Sequence, residues 1–511
     1  MPHLPPSDND LTRRAFLQRA ALATAAACLP GACGRPGARG KERRDMPNLL
    51  FVFPDQFRRQ ALGCLRQDPV LTPNLDRLAG ESLVLTQAVS NCPICSPFRA
   101  SLLTGKHPFG HGVVTNCNSG APGMELRAQE TCLSDVLYAA GYDCGYIGKW
   151  HLEAPHEPYV EPPRMGDGDC VWDEYTPPGP RRHGFDFWHS YGCCDQHLHP
   201  HYWEGDAPRD RPARVDAWSP LHEAETAVDF LRRQAPARGG AGRPFALFVS
   251  MNPPHTPFEQ VPPEYVARYG DATPGELLKR PNVDLRRDDE PTRRAARAVK
   301  NYFAAVAGVD EQVGRIVAAL DGLGMRDDTI VVFTSDHGEM MGSHGLMHKG
   351  VAYEESLGVP FILRWPGRVP ARRDDLLLGS PDLMPTLLGL LGLAGRMPAG
   401  VEGRDLSPSL RGEPQSRPDA ALFYRIQRAA PAAGSRGLRT MRHTYVLDMP
   451  ADAAKPPTVQ LFDNRDDPFQ LRNVAHDQPA LARELHGRMV AELAALHDPF
   501  RPPAGFDPGG G

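Results

Sequence analysis

Short, continuous runs of apolar residues recur along the chain, and several of them end directly before residues that can do chemistry. Four such runs are 49–53, 143–147, 245–250 and 329–334. Apolar runs of this length without strict alternation are typical of strands that are buried on both faces of a mainly parallel sheet. The pattern therefore predicts a large sheet at the centre of the protein.

Helical spacing fills the segments between these predicted strands. The predicted helices cover 72–78, 133–140, 219–234 and 293–320, and the last of these is long and amphipathic. Strands that alternate with helices predict an α/β domain, here a large mixed, mainly parallel sheet flanked by helices. In such sheets ligands bind at the carboxyl ends of the strands, so we expect a catalytic site where the apolar runs end.

The C-terminal part of the chain has a different character. A helix predicted at 382–393 is followed by a Gly- and Pro-rich stretch, after which short apolar runs predict strands. The predicted strands are 421–426, 437–449 and 459–463, and a terminal helix is predicted at 479–496. We therefore predict a catalytic domain over 46–411 and a small α+β subdomain over 412–511, which combines an antiparallel sheet with the terminal helix.

Residues 1–45 have the character of a leader rather than of a folded segment. Arg13 and Arg14 precede an Ala-rich apolar run at 20–29 that is too short to span a bilayer. This arrangement predicts a twin-arginine export signal, the twin-arginine export machinery as a partner, and a periplasmic or exported location. Cys33 is a candidate site for a lipid anchor, and an ordinary cleaved signal with an incidental cysteine is the alternative.

Composition narrows the function classes without selecting one. The chain has 511 residues, of which 41% are hydrophobic and 23% are charged, as is usual for a globular protein. A formal net charge of −5 gives no basic excess for nucleic acid, so we expect no nucleic-acid partner. The 11 cysteines lack the regular spacing of a disulfide framework, and export of an already folded chain also argues against one.

The segment from Cys95 to Gly105 carries the strongest chemical signal. Pro97 suits the first turn of a helix, and residues four apart lie on one helix face, so Cys95 and Arg99 can address the same point. The positive end of the helix dipole lies there too. A reactive group and a cation at one point predict chemistry on a small anion. Cys92 and Cys95 also form a CxxC pair, but a thiol–disulfide function would leave Arg99 without a role.

Cys-x-Pro-x-Arg, followed here by Leu102-Leu103-Thr104-Gly105, resembles the signature of the type I sulfatases of the alkaline phosphatase-like superfamily. In that family the cysteine is oxidised to formylglycine before the enzyme works. The resemblance therefore implies that Cys95 becomes formylglycine and that a formylglycine-generating enzyme is a partner. It extends from Asn48 to the predicted terminal helix.

A metal site at the strand ends agrees with this resemblance. Asp55 and Asp336 each follow a predicted strand, and two carboxylates with a neutral donor can hold a hard divalent cation. The family pattern places Gln56 and His337 beside them, with Cys95 as a further ligand position. We expect Ca²⁺ at this site, with Mg²⁺ as the alternative.

The resemblance assigns the other polar residues to hydrolysis of a sulfate ester. Lys149 and His151 match the family's Gly-Lys-x-His pattern, and Lys349 resembles its second active-site lysine. One hydroxyl of hydrated formylglycine would attack sulfur, while Arg99 and the two lysines offset charge on the sulfate oxygens. His255, which lies between prolines, would protonate the leaving alcohol together with Lys349. His151 would take the proton of the second hydroxyl, which then expels inorganic sulfate.

Two other functions stay open beside a sulfatase that acts on a sulfated small molecule or glycan. The same machinery suits phosphonate monoesters or phosphodiesters, because tetrahedral anions of sulfur and phosphorus differ mainly in charge. A protein whose Cys95 is never converted would instead be a non-catalytic lipoprotein that binds sulfated glycans.

The segment 153–205 is less familiar. Its alternating histidines, His197, His199 and His201, could bind a second metal on one strand face, or they could be packing residues or part of a substrate loop. A carbohydrate sulfate is favoured by the exported location and by four aromatic residues that could stack on sugar rings, namely Trp172, Trp188, Tyr202 and Trp203, although aromatic residues of this kind are more often packing residues.

Overall fold

The computed structural model describes residues 46–118, 121, 123–155, 173–235, 242–452 and 454–509. The predicted leader with Cys33 lies outside these residues, as does Trp172. The described residues belong to one compact unit that begins at Met46. The domain boundary predicted after residue 411 stays a prediction. Of the helices described, none is both long enough and apolar enough to cross a bilayer.

A ten-stranded mixed sheet forms the centre of this unit. Its strands are β1 (Asn48–Val52), β2 (Leu83–Val89), β3 (Asp143–Lys149), β4 (Phe187–Tyr191), β5 (His201–Glu204), β6 (Ala213–Arg214), β7 (Phe245–Ser250), β8 (Thr329–Phe333), β9 (Ile362–Arg364) and β10 (Arg372–Gly379). They lie in the order β10-β2-β9-β8-β1-β7-β3-β4-β5-β6. The adjacent strands β8, β1, β7, β3 and β4 are parallel, whereas β9 and β5 run antiparallel to their neighbours. The predicted fold class is confirmed.

Helices cover both faces of this sheet. They are α1 (Pro73–Gly80), α2 (Cys95–Thr104), α3 (Pro108–His111), α4 (Leu133–Ala140), α5 (Ser219–Gln234), α6 (Pro263–Ala267), α7 (Pro274–Leu277), α8 (Glu290–Gly322), α9 (Glu354–Leu357), α10 (Leu383–Leu390) and α11 (Ser407–Arg411). The long helix α8 begins where Asp289 accepts a hydrogen bond from the Thr292 backbone N–H. This N-cap places its start slightly before the predicted residue 293.

Strand β1 shows why its apolar run is continuous. Leu49 and Phe51 face one hydrophobic cluster, which helices α2, α4 and α10 help to form. Leu50 and Val52 face a second cluster, to which α5 and α8 contribute. Because side chains alternate across a strand, a strand that is covered on both faces must be apolar at every position.

A second, four-stranded antiparallel sheet follows in the chain. Its strands are β11 (Ala420–Gln427), β12 (Ala430–Thr440), β13 (His443–Met449) and β14 (Thr458–Asp463), in that order. The terminal helix α12 (Pro479–Ala495) packs on it through Leu485 and Met489. The single strand predicted at 437–449 is wrong, because Met441 and Arg442 turn the chain between β12 and β13.

Candidate active site

Four neighbouring strands bring the predicted site residues to one edge of the large sheet. β8, β1, β7 and β3 lie side by side and are parallel, so their carboxyl ends share that edge. Asp336, Asp55, His255 and Lys149 stand at or shortly after the ends of these four strands. The sheet therefore provides the convergence that the apolar runs predicted.

Four predicted metal-site residues form a fully buried cluster at this edge. One potential ligand atom from each of Asp55, Cys95, Asp336 and His337 lies within 4.8 Å of the others. The Nε2 atom of His337 lies 3.2 Å from the Sγ atom of Cys95. It lies 3.4 Å from Asp55 Oδ1 and 3.6 Å from Asp336 Oδ1. Cys95 is present as the thiol, so its Sγ atom stands in for the oxygen that formylglycine would carry.

The ring of His337 is oriented as a metal-binding imidazole should be. Its Nδ1 atom lies 3.0 Å from the Gly338 carbonyl oxygen. A carbonyl oxygen can only accept, so Nδ1 carries the proton and Nε2 presents its lone pair to the cluster. Burial lowers the pKa of His337, which keeps the ring neutral.

The two carboxylates of the cluster repel each other when both are charged. Burial and then the charge of Asp55 raise the pKa of Asp336. Burial also acts to raise the pKa of Asp55, but Lys149 and other positive neighbours outweigh it and hold that pKa well below its ordinary value. A divalent cation would remove the repulsion, and carboxylate oxygens with an imidazole nitrogen suit such an ion. The residues present therefore fit a divalent metal site.

Arg99 reaches the cluster from helix α2, which begins at Cys95. Its Nη2 atom lies 3.2 Å from Asp55 Oδ2 and 3.3 Å from Asp336 Oδ2. Its Nη1 atom donates to the Lys149 carbonyl oxygen over 2.6 Å. Only 1% of the residue is exposed. Arg99 is thus fixed beside the same carboxylates as Cys95.

Lys149 is the second buried cation of the site. Its Nζ atom lies 2.8 Å from Asp55 Oδ2 and donates to Asn252 Oδ1 over 3.0 Å. Burial acts to lower the pKa of Lys149, but Asp55, Cys95 and Asp195 together outweigh it and raise that pKa. The preceding Gly148 has a φ of 92°, and a Cβ atom there would lie 2.1 Å from the Ser250 carbonyl oxygen. Only glycine permits this close approach of β3 and β7 just before Lys149.

The side chain of Gln56 is held by two residues beside the cluster. Its Nε2 atom donates to Glu339 Oε2 and its Oε1 atom accepts from Lys349 Nζ, each over 2.6 Å. The Gln56 backbone N–H donates to Asp336 Oδ1 over 3.0 Å. Gln56 as a metal ligand stays a prediction. Sequence reasoning did not assign a role to Glu339, although it lies within the Ser335-Asp336-His337-Gly338-Glu339 motif.

His255 is held by residues from neighbouring loops. Its Nδ1 atom donates to the Thr256 carbonyl oxygen over 2.7 Å and lies 3.2 Å from Asp195 Oδ1. Asp195 Oδ1 also accepts from Asn252 Nδ2 over 2.9 Å. Asn252 therefore links the lysine and the histidine of the site. Asp195 and Asn252 were missed by sequence reasoning, and the position of Asn252 two residues after the end of β7 was the available signal.

His151 follows strand β3, two residues after Lys149. It is 3% exposed, and its φ of 55° is rare for a residue other than glycine. Burial and the charges of Lys149 and Arg99 hold its pKa well below the ordinary value, so the ring is neutral. A neutral imidazole near two fixed cations can accept a proton.

The alternating histidines do not share a ligand in the described structure. His197 Nε2 donates to the His255 and Thr256 carbonyl oxygens, each over 3.1 Å. His199 lies 2.9 Å from Asp216, and His201 lies 2.9 Å from Asp173. Each of the three histidines therefore contacts a different partner in a neighbouring loop, and the three do not form one metal site.

The aromatic residues of this region are placed as packing residues. Trp188, Tyr202 and Trp203 are buried in hydrophobic clusters, so they are not platforms for sugar rings. Cys194 is disulfide-bonded. The other described cysteines are free.

Fixed cations around a buried cluster of metal-type donors suit the transfer of a tetrahedral anion from an ester. The fold and site together therefore define a hydrolase of anionic esters. A family model described as Sulfatase matches residues 47–393, and one described as N-sulphoglucosamine sulphohydrolase, C-terminal, matches 342–498. The chain belongs to the sulfatase family and is a sulfuric ester hydrolase.

Named relatives agree with this family. An endo-4-O-sulfatase of Bacteroides thetaiotaomicron is 40% identical over 495 residues, which cover 90% of this chain and 94% of the relative. An ulvan-active sulfatase of Formosa agariphila is 33% identical over 470 residues, covering 89% of this chain and 82% of that protein. The crystal structure of a candidate sulfatase, yidJ, from Bacteroides fragilis matches with a TM-score of 0.83 at 41% identity, covering 91% of this chain and 99% of that one.

Proposed function

We propose that this enzyme removes sulfate from a glycan by means of a formylglycine made from Cys95 by a formylglycine-generating enzyme. The observation that carries the proposal is the buried cluster in which Cys95 Sγ lies against His337 while Arg99 contacts the two carboxylates. A thiol that served only packing would not require this set of charges around it.

A divalent cation, Ca²⁺ or alternatively Mg²⁺, would be held by Asp55, Asp336 and His337, with Gln56 and residue 95 completing the predicted set. Such an ion supplies Lewis acidity to the ester and its nucleophile, and formylglycine supplies a hydrated aldehyde with two hydroxyl groups. Oxygen-rich donor sets with two carboxylates favour hard cations of this kind.

Residues of the chain bind the sulfate group and transfer the protons. Arg99, Lys149 and Lys349 bind the sulfate oxygens and offset the charge that develops on them. His255 gives a proton to the leaving alcohol oxygen, and His151 takes a proton from the nucleophile. The two histidines suit these opposite roles because the pKa of His255 is raised against the effect of its burial, whereas burial lowers the pKa of His151.

Replacing Asp195 with asparagine is expected to move the alkaline limb of kcat to lower pH. The pKa of His255 is raised overall: burial, Lys349 and Lys149 act to lower it, and Asp195 is the largest of the causes named that act to raise it. The amide keeps the shape of Asp195 and loses its charge, so protonated His255 is lost at a lower pH, by about one unit. The measurement is kcat on an aryl sulfate across a pH series.

Asp216→Asn is the matched control, because Asp216 is an exposed carboxylate beside the exposed His199. Its pH profile is expected to equal that of the wild type. An unmoved alkaline limb in Asp195→Asn would show that His255 is not the proton donor that Asp195 controls.

A cavity beside the His255 loop supports a glycan substrate. It has a volume of about 770 Å³ and is lined by Thr256, Pro257, Arg294 and Arg297 among others. Burial, and with it the charges of Arg294 and Lys349, act to lower the pKa of His348, so both cations lie in the neighbourhood of that histidine. Glu259 and Glu290 line the cavity too, and Arg297 is paired with Glu290, so Arg294 is the residue that would bind an anionic sugar adjoining the sulfated one.

Hydrolysis of 4-O-sulfated oligosaccharides, compared with a small aryl sulfate, tests this substrate class. Arg294→Ala is expected to raise KM for an anionic oligosaccharide about tenfold and to leave aryl sulfate turnover unchanged, because only the oligosaccharide reaches the cavity. Arg286→Ala, a change at an exposed arginine paired with Asp284, is the control. Equal KM values for Arg294→Ala and the wild type on the oligosaccharide would contradict the glycan subsite.

The location of the enzyme is also proposed rather than observed. Arg13, Arg14 and the short apolar run that follows support export by the twin-arginine machinery into the periplasm. Cys33 would carry a lipid anchor if the leader is processed there.

A further inference from the structure

Three buried polar atoms without partners converge next to the active site. Within the described residues, neither ring nitrogen of His151 has a hydrogen-bond partner, and neither does Glu174 Oε2. Both side chains are almost completely buried, at 3% and 0% exposure. Buried polar atoms are nearly always paired, because leaving one unpaired costs the free energy of its lost hydration. Three unpaired polar atoms on two neighbouring buried residues therefore call for a functional explanation.

These atoms face one another. A ring nitrogen of His151, a carboxyl oxygen of Glu174 and the Sγ atom of Cys193 all lie within 4.8 Å of one another. Cys193 Sγ and Glu174 Oε1 form a hydrogen bond over 3.2 Å, which leaves Oε2 as the unengaged carboxyl oxygen. The two side chains are thus neighbours that do not hydrogen-bond each other in the described structure, although their polar atoms are close enough to do so after a rotation of the ring.

The position of Glu174 is set by the backbone around it. A Cβ atom on Gly192 would lie 2.1 Å from Glu174 Oε2, so only glycine leaves room for the carboxyl group. The neighbouring Asp173 accepts from the backbone N–H groups of Gly192 and Cys193 over 3.1 Å and 2.6 Å. Asp173 is itself held by His201 Nε2 at 2.9 Å. The position of the Glu174 carboxyl group is therefore set by its own surroundings and does not depend on the orientation of the His151 ring.

The charge state of this pair suits a neutral hydrogen bond. Burial and then Asp173 raise the pKa of Glu174 well above its ordinary value, so the group is a neutral carboxylic acid. Burial likewise raises the pKa of Cys193, which stays a thiol. With the acid proton on Oε1, toward Cys193 Sγ, Oε2 is a carbonyl oxygen that can accept from the N–H of a neutral imidazole.

We propose that Glu174, held by Cys193, is a positioning residue that hydrogen-bonds one ring nitrogen of His151 and leaves the other free to act as the base. Glu174 Oε2 accepts from one ring N–H, and the lone pair of the opposite nitrogen is presented to the centre that contains Lys149. The inference rests on the proposed role of His151 in sulfate-ester hydrolysis.

A double-mutant cycle on aryl sulfate turnover tests this inference. Glu174→Ala is expected to lower kcat by about tenfold to a hundredfold with little change in KM, because the base loses its orientation. Glu174→Gln, whose amide oxygen can still accept, is expected to stay within about threefold of the wild type. In a His151→Ala background, Glu174→Ala is expected to cause no further loss, because its effect passes through His151.

Glu223→Ala is the matched control, because Glu223 is also a fully buried carboxyl with an unpaired oxygen, but its partner is Tyr202. It is expected to lower Tm with little effect on kcat. An equal loss of kcat from Glu174→Ala in the wild-type and His151→Ala backgrounds would overturn the inference, as would unchanged kcat in Glu174→Ala. If His151→Ala itself keeps full activity, the proposed base fails, which is a separate result.

Discussion

Replacing Cys95 with serine is expected to abolish turnover of sulfate esters while the fold is kept. A serine can carry a sulfate group, but it has no second hydroxyl with which to expel that group. The steady-state rate is therefore expected to fall by at least about 10⁴-fold, leaving at most a single turnover. The exchange of one small buried atom is expected to shift Tm by only a few degrees, about the effect of 1 kcal/mol.

Cys92→Ala provides the matched control for this experiment. Cys92 is the other cysteine of the CxxC pair and is also buried, but it packs in the cluster with Leu438 and Tyr445. A sulfatase needs only Cys95, so Cys92→Ala is expected to keep its kcat. A thiol–disulfide function would require both cysteines, and equal losses in the two variants would support that alternative.

Asp336→Asn is expected to remove both activity and the response to divalent cations. The change deletes one of the two carboxylates of the metal-type cluster, and the lost transition-state stabilisation corresponds to a fall in kcat of about 10³-fold. Thermal unfolding with a chelator and with added Ca²⁺ or Mg²⁺ measures the cation response. Cations are expected to raise Tm of the wild type and to leave Tm of Asp336→Asn unchanged.

The same variant makes a second prediction for the cation-free protein. Folding raises the pKa of Asp336, so its ionised form opposes folding at pH values above that pKa, and this cost disappears as pH falls through it. Asparagine removes the cost, so Tm in chelator at neutral pH is expected to equal or exceed that of the wild type. Asp310→Asn, at a buried carboxylate that accepts from the Asn74 and Leu75 backbones, is the control that should keep the cation response. A cation-induced rise of Tm in Asp336→Asn would contradict the metal site.

The predictable part of the site follows from sheet geometry. Asp55, Lys149 and Asp336 could be placed together because parallel strands with buried runs end at one edge. Their distances could not be predicted, since they depend on helix α2 lying close enough for Arg99 to contact both carboxylates. The continuous apolar runs indicate which strands are central, but they do not determine how a helix packs on those strands.

The site residues that could not be predicted from the sequence lie in segments without a regular spacing of apolar residues. Asp195 and Glu174 belong to the loops around β4 and β5, where the spacing of apolar residues predicts no helix and no strand. Their roles depend on tertiary contacts with His255 and Cys193. The turn at Met441 was missed for a different reason, because it lacks the Gly, Asn or Pro that usually marks a hairpin turn.

The central claim is that residue 95 works as an aldehyde derived from cysteine. The most direct test is mass spectrometry of the peptide that contains residue 95, from protein made together with a formylglycine-generating enzyme and active on an aryl sulfate. The account predicts a peptide in which oxygen replaces the Cys95 sulfur and two hydrogens are lost, in proportion to the specific activity. Full activity in protein whose Cys95 is entirely the unmodified thiol would contradict it.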